Sequence, residues 1–256
     1  MDARSNVFPS TGRSAAMAHA FVSQSGIDAA IQNPAGVASL PAVAFAAFYE
    51  KRFTISELSS QGIIGALPVG KGVFSACFHT FGPLSWRETE ASLGYSLQLS
   101  PKLSGGVKIN YLSMKLPEEN AQLGTASATV GLIYKLLPSL FIGLNIDNPW
   151  SVALQTSTFE NNIPYKIQLG GHSKISENFT VSAEVEKLDK EPVVLKMGAE
   201  WEAANHFFLR GGYSSSTTKL YGGLGFSYRY FTADLAFGLH QTLGVTPFVS
   251  IKFNLN

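Results

Sequence analysis

From about residue 42 to the C-terminus, apolar residues recur at every second position, and few folds satisfy that rule. In Phe248-Val249-Ser250-Ile251-Lys252-Phe253-Asn254-Leu255, the odd positions are Val, Ile, Phe and Leu, and three of the four even ones are Ser, Lys and Asn. Successive side chains of a strand point to opposite faces, so each such segment has one apolar and one polar or small face. The segments around residues 89–97, 107–111, 126–135, 140–147, 165–170, 179–186, 193–202, 219–230 and 231–240 repeat the pattern. Four less regular strands are predicted at Val43–Phe53, Leu58–Leu67, Val73–Phe81 and Phe207–Ser214, giving about 14 in all. The first two of these are the least patterned, Ala44 to Phe48 being apolar on both faces.

Connections alternate between short and long. Short turns fall at 68–72, 100–102, 137–139, 176–178, 203–205 and near Tyr230; longer links run 82–87, 117–124, 148–162, 187–192, 215–218 and 241–246. Short turns on one rim and longer loops on the other describe an up-and-down antiparallel barrel. A soluble sandwich shares the alternation but turns its apolar faces inward. Two features favour a membrane-spanning barrel. Charges keep to the face opposite the apolar one, as in Glu184/Glu186 and Glu200/Glu202, and aromatics such as Tyr95, Tyr134, Tyr165, Trp201, Tyr213, Tyr228 and Tyr230 fall near strand ends, where interfacial girdles lie. Composition agrees: 45% of residues are hydrophobic and only 14% charged, against about 25% charged in soluble domains. No charge-free apolar run reaches the roughly 18 residues of a spanning helix. A net charge of +1 gives no electrostatic case for nucleic acid as a partner.

Residues 1–41 do not alternate and are rich in small side chains, so they read as a compact segment inside the barrel or across its mouth. The opening Met1-Asp2-Ala3-Arg4-Ser5 lacks the regions of a secretory signal. A mature or trimmed chain is expected. The division is therefore 1–41, a hatch, and 42–256, an all-β transmembrane up-and-down antiparallel β-barrel.

The Gly12-Arg13 start of a small-residue run, then Asp28, then Asn33-Pro34-Ala35-Gly36 ahead of the first strand, resembles FadL-type outer-membrane proteins. It is most similar to their Bacteroidota relatives, the PorV/PorQ proteins. The resemblance implies an N-terminal hatch inside a 14-stranded barrel in the bacterial outer membrane, with Asn33, Pro34, Ala35 and Gly36 as the hatch turn leading into the first strand. It implies no catalytic residue and no cofactor. The implied role is a non-catalytic accessory subunit of a machine for secretion (type IX), surface anchoring or barrel assembly, with membrane lipid and other outer-membrane or periplasmic proteins as partners. The alternative is a FadL-like passive channel for small hydrophobic molecules. The chain departs from both: it lacks the long outer loops of FadL transporters and is smaller than PorV-like proteins.

Other chemistry is sparsely supported. One cysteine, Cys77, excludes an intramolecular disulfide. His19, His79, His172, His206 and His240 show no metal-ligand spacing. The paired glutamates read as lumen charge balance against Lys166, Lys196 and Arg210. No Gly-x-Ser-x-Gly occurs, and an enzyme reading would have to rest on His240 or Glu200. Gly222-Gly223-Leu224-Gly225 lies within a strand pattern and reads as close backbone packing. Trp150, in the longest loop, is a candidate partner contact or an interfacial anchor.

Overall fold

The computed structural model describes residues 9–115, 122–150, 153–155, 160–216 and 218–255. Fourteen antiparallel strands close into a barrel. In chain order they are β1 (Val43–Lys51), β2 (Ser59–Val69), β3 (Gly72–Phe81), β4 (Arg87–Ser100), β5 (Leu103–Lys115), β6 (Gln122–Lys135) and β7 (Leu140–Asp147), then β10 (Lys166–Ser176), β11 (Phe179–Leu188), β12 (Val194–Ala204), β13 (Phe207–Ser214), β14 (Thr218–Tyr228), β15 (Phe231–His240) and β16 (Gly244–Leu255). Each pairs with its neighbour in sequence, and β1 pairs with β16 from Val43↔Leu255 to Glu50↔Phe248. Two further short strands, β8 (Ala153–Gln155) and β9 (Glu160–Asn162), form a small separate hairpin in the long β7–β10 link.

The period-two pattern explains which way each face points. Along β1 the inward residues Ala44, Ala46, Phe48 and Glu50 are buried, while the outward Phe45, Ala47 and Tyr49 are exposed. The exterior is a continuous apolar belt in which Ile63, Leu93 and Ile109 are each at least 60% exposed. Inside, Lys108, Asn110, Thr129, Asn145, Gln168, Glu184, Lys196, Arg210 and Asp234 are buried. A soluble barrel would reverse this, because exposed apolar area costs about 25 cal/mol per Å² in water. The molecule is therefore built for lipid. Tyr95, Tyr134, Trp201, Phe207, Tyr228 and Tyr230 are all exposed towards the short-turn rim, forming a girdle at one interface.

All six turns on that rim are short, and the strand ends Val43 and Leu255 lie on it too. Lengths differ slightly from the sequence reading. β1 stops at Lys51 rather than Phe53, because the chain turns at Arg52–Thr54 with Phe53 and Thr54 at φ 52° and 59°. β2 instead continues to Val69, which pairs with Gly72 across a two-residue turn where Gly70 takes φ 61°. The predicted 117–124 and 148–162 links lie partly outside the described residues.

From residue 9 the N-terminal segment runs through the lumen to β1. It contains a one-and-a-half-turn helix, α1 (Gly12–Ala16), capped by Thr11, and two 3-10 turns, Ile27–Ile31 and Pro34–Val37. Met17, Phe21, Val22 and Val37 are wholly or almost wholly buried there, so the segment is a plug packed within the barrel.

Candidate functional site: the plug and its two walls

Asn33, Pro34, Ala35 and Gly36 lie in the plug, all buried. Asn33 caps the 3-10 turn Pro34–Val37: its Oδ1 accepts from the Ala35 N–H at 3.0 Å, and its Nδ2 donates to the Val22 carbonyl at 2.6 Å. The same amide reaches the wall carbonyls of Leu132 and Leu144 at 3.3 and 3.4 Å. The Pro34 carbonyl accepts from Ser96 Oγ of β4 at 2.6 Å. Gly36 lies where a Cβ would come within 2.4 Å of both Ala29 Cβ and the Gln24 carbonyl. A side chain there would push the two 3-10 turns apart. The quartet thus joins two arms of the plug to each other and to β4, β6 and β7.

The wall meets the plug through missing side chains. A Cβ on Gly106, Gly131, Gly143, Gly198, Gly212 or Gly223 would clash at under 3.0 Å with plug atoms: Pro34, Asn33, Val22, Met17, Ala18 and Ala16 in that order around the barrel. These six glycines lie on β5, β6, β7, β12, β13 and β14. Only glycine lets the plug backbone approach so closely. Gly223, within the Gly-rich run, belongs to this ring; Gly222 beside it faces the outward Phe237 ring.

On the β12–β16 side, plug and wall are joined by charge. Glu200 accepts two hydrogen bonds from the Arg13 guanidinium, both at 2.8 Å, and one from Arg210 Nε. Arg210 continues to Asp234 at 2.7 Å, Asp234 to Lys252 at 2.9 Å, and Lys252 to Asp28 of the plug at 2.8 Å. Three cations alternate with three anions, and the plug supplies both ends. A second cluster joins Lys196 to Glu184 at 3.2 Å and Glu186 at 2.7 Å. Glu184 Oε2 also accepts the Phe21 and Val22 N–H groups at 3.0 and 2.9 Å. Lumen charge balance describes Glu184, Glu186 and Glu200. Glu202 is different: it accepts the His206 N–H at the rim. Arg13 and Asp28, the plug ends of this chain of charges, stand in the run that carries the hatch resemblance, but residues 1–41 do not alternate, so no periodicity names their partners.

The opposite wall meets the plug differently. Inward Ala44, Ala46, Phe48, Ile64, Ala66 and Val73 of β1, β2 and β3 form one apolar cluster with Met17, Phe21, Ile27, Ile31 and Val37 of the plug. Outside the same wall lies an apolar concavity of about 1000 Å³ whose lining includes Phe45, Ala47, Ile63, Gly65, Ala76 and Phe78. The run Ala44 to Phe48, apolar on both faces, is thus a wall with plug side chains behind it and lipid in front.

The remaining candidates are scattered. Trp150 is 74% exposed at the longer-loop rim. His240 lies at that rim too, its Nδ1 accepting from the Thr242 and Leu243 N–H groups, whereas Glu200 is bound to Arg13; the two do not form one site. His19, His79 and His172 contact Ser10, Ser60 and Ser23 respectively. Among the described residues, no three of His, Cys, Asp and Glu come together as metal ligands.

No protein-family model matches the sequence, and no curated protein matches it significantly. Solved structures do. The toluene transporter TodX of Pseudomonas putida is 13% identical, with a TM-score of 0.77 over 98% of this chain and 100% of that one. A TodX mutant described as a monoaromatic hydrocarbon channel is 14% identical, with a TM-score of 0.77 over 96% of this chain and 99% of that one. A FadL homologue of Pseudomonas aeruginosa is 9% identical, with a TM-score of 0.71 over 97% and 99% of the two chains. The fold is that of FadL-type outer-membrane barrels. None of these three structures speaks for the PorV/PorQ branch.

Proposed function

We propose that this chain is an outer-membrane channel through which small hydrophobic molecules pass without energy coupling. The observation that carries the reading is the one-sided lumen. A plug held by ion pairs along β12–β16 meets β1–β3 through a large apolar cluster around Phe21 and Ile64. An apolar solute on that side loses little, whereas the charged side penalises it by leaving buried ions short of partners. The fold shared with a toluene transporter and a hydrocarbon channel supports the same reading. It is favoured over the accessory-subunit role that the hatch resemblance implies.

The test is uptake in Gram-negative cells lacking their own hydrophobic channels. Expression should raise accumulation of a labelled monoaromatic compound or fatty acid but not of an oligosaccharide. Ala46→Asp, on the apolar wall, should abolish the gain in a barrel that still reaches the membrane folded. No gain, or an equal gain for the oligosaccharide, would refute the proposal. Trp150 keeps the accessory role as a second reading, since an indole 74% exposed at the longer-loop rim suits a protein contact. Partners retained in mild detergent by the wild type and lost by Trp150→Ala would support it.

A further inference from the structure

Residues directly opposite on neighbouring antiparallel strands bring their Cβ atoms to about 5 Å, and like charges so placed repel. One such pair stands at the longer-loop end of β4 and β5, where Arg87 is the cross-strand partner of Lys115. Both hold outward positions, sharing the alternation of exposed Ala91 and Leu93 on β4 and of Ile109 and Tyr111 on β5. Among the described residues neither is in an ion pair, and Arg87 Nε has no hydrogen-bond acceptor. The acids of these strands are turned the other way: Glu50, Glu88 and Glu90 hold lumen positions. Outward charge on β1–β5 consists of Lys51, Arg87 and Lys115, all basic and all at the longer-loop end.

Away from that rim the outward face changes in steps. The next outward partners are Thr89 and Ser113, then Ala91 and Tyr111, then Leu93 and Ile109. The last four line the apolar concavity of about 1000 Å³ outside β1–β3, which reaches to β4 and β5. Ala91 and Tyr111 lie four residues along their strands from the cations, about 13 Å at the rise of a strand. Two cations, a hydroxyl level and then an apolar hollow follow the polarity order of a lipid with an anionic head group. A soluble anion would engage the cations and leave the hollow unused. A second copy related by a two-fold axis along the membrane normal would set the same cations against each other at one level.

We propose that this sector is a binding site for one anionic membrane lipid in the leaflet that meets the longer-loop rim. The phosphate lies between Arg87 and Lys115 and relieves their repulsion, and an acyl chain runs past Ala91 and Tyr111 into the concavity. Each basic residue near an anionic lipid surface strengthens such binding about fivefold.

The test is native mass spectrometry of the purified full chain in neutral detergent, titrated with phosphatidylglycerol or with phosphatidylcholine of the same acyl chains. The wild type should retain phosphatidylglycerol about 25-fold better, fivefold for each cation. The double change R87Q/K115Q should remove the preference, and the charge-keeping swap R87K/K115R should retain it. If the glutamine double does not fold, R87Q and K115Q singly, each expected to lose about fivefold, carry the test. A76F, which fills the concavity from an exposed outward position, should lower retention of both lipids several-fold and leave the preference in place. Equal retention of the two lipids by the wild type, a preference untouched by the glutamines, or full retention in A76F would overturn the proposal. So would displacement of the lipid by an equal concentration of inorganic phosphate, which would mark an anion site without lipid.

Discussion

The ion chain joining the plug to β12–β16 should break most informatively at Glu200. In Glu200→Gln, Arg13 loses a bidentate carboxylate with both contacts at 2.8 Å, and Arg210 keeps only Asp234. The chain falls from three cations and three anions to three and two. Its side chains are mostly buried: Arg13 is 20% and Glu200 12% exposed, so water does little to compensate. Breaking a buried pair by removing one partner costs about 3–5 kcal/mol. The amide can still accept one hydrogen bond, which puts this case near the lower end. The loss falls on local opening of the plug rather than on the whole barrel. Hydrogen exchange read by mass spectrometry should therefore speed up about a hundredfold in peptides from 12–40, while those from β4 and β5 change little. Arg13→Met alone should do less, because the Glu200–Arg210 contact survives, and the double variant should show coupling of roughly 1–3 kcal/mol. Plug exchange within threefold of wild type in Glu200→Gln would refute the view that charge holds the plug.

The glycine ring predicts a contrast between two substitutions of the same kind. Gly131→Ala brings a Cβ to 1.9 Å from Asn33 Oδ1, whereas at Gly211 nothing lies within 4 Å. The first should lower barrel stability by about 1–3 kcal/mol and the second should be near neutral, both read as heat-modifiability on semi-native gels. Asn33→Ala removes the cap on Pro34–Val37 and the donor to the Val22 carbonyl. It should destabilise the plug by about 2 kcal/mol, seen as faster exchange around residues 22–37 with the barrel intact.

The barrel was legible because its code is strictly local: a period of two, read over eight residues, fixes which side chain meets lipid and which the lumen. Phe231–His240 and Phe248–Leu255 carry it without exception for their apolar faces. Strand ends were less legible at β1 and β2, where Ala44–Phe48 is apolar on both faces and the turn at Phe53 depends on a left-handed backbone. The plug's anchoring was not legible at all. The partners in Arg13–Glu200 are 187 residues apart, and no periodicity links such distant positions. The lumen glutamates could be assigned to charge balance, but not to the plug. Likewise Gly106, Gly131 and Gly143 look like ordinary small residues of a lumen face until the plug backbone stands against them.

The plug and the seam of the barrel share a further property that bears on how the chain reaches this state. The Gly12 N–H donates to Ser250 Oγ at 2.9 Å, and Asp28 binds Lys252 at 2.8 Å; both partners are on β16, the strand that closes the barrel against β1. These two contacts of the earliest described part of the chain therefore wait for the last strand. Contacts so far apart in sequence form slowly, because loop closure precedes any gain. The last step of seating the plug and the zipping of β1 to β16 thus share one strand, so a barrel caught open along that seam would also hold its plug by the remaining walls alone.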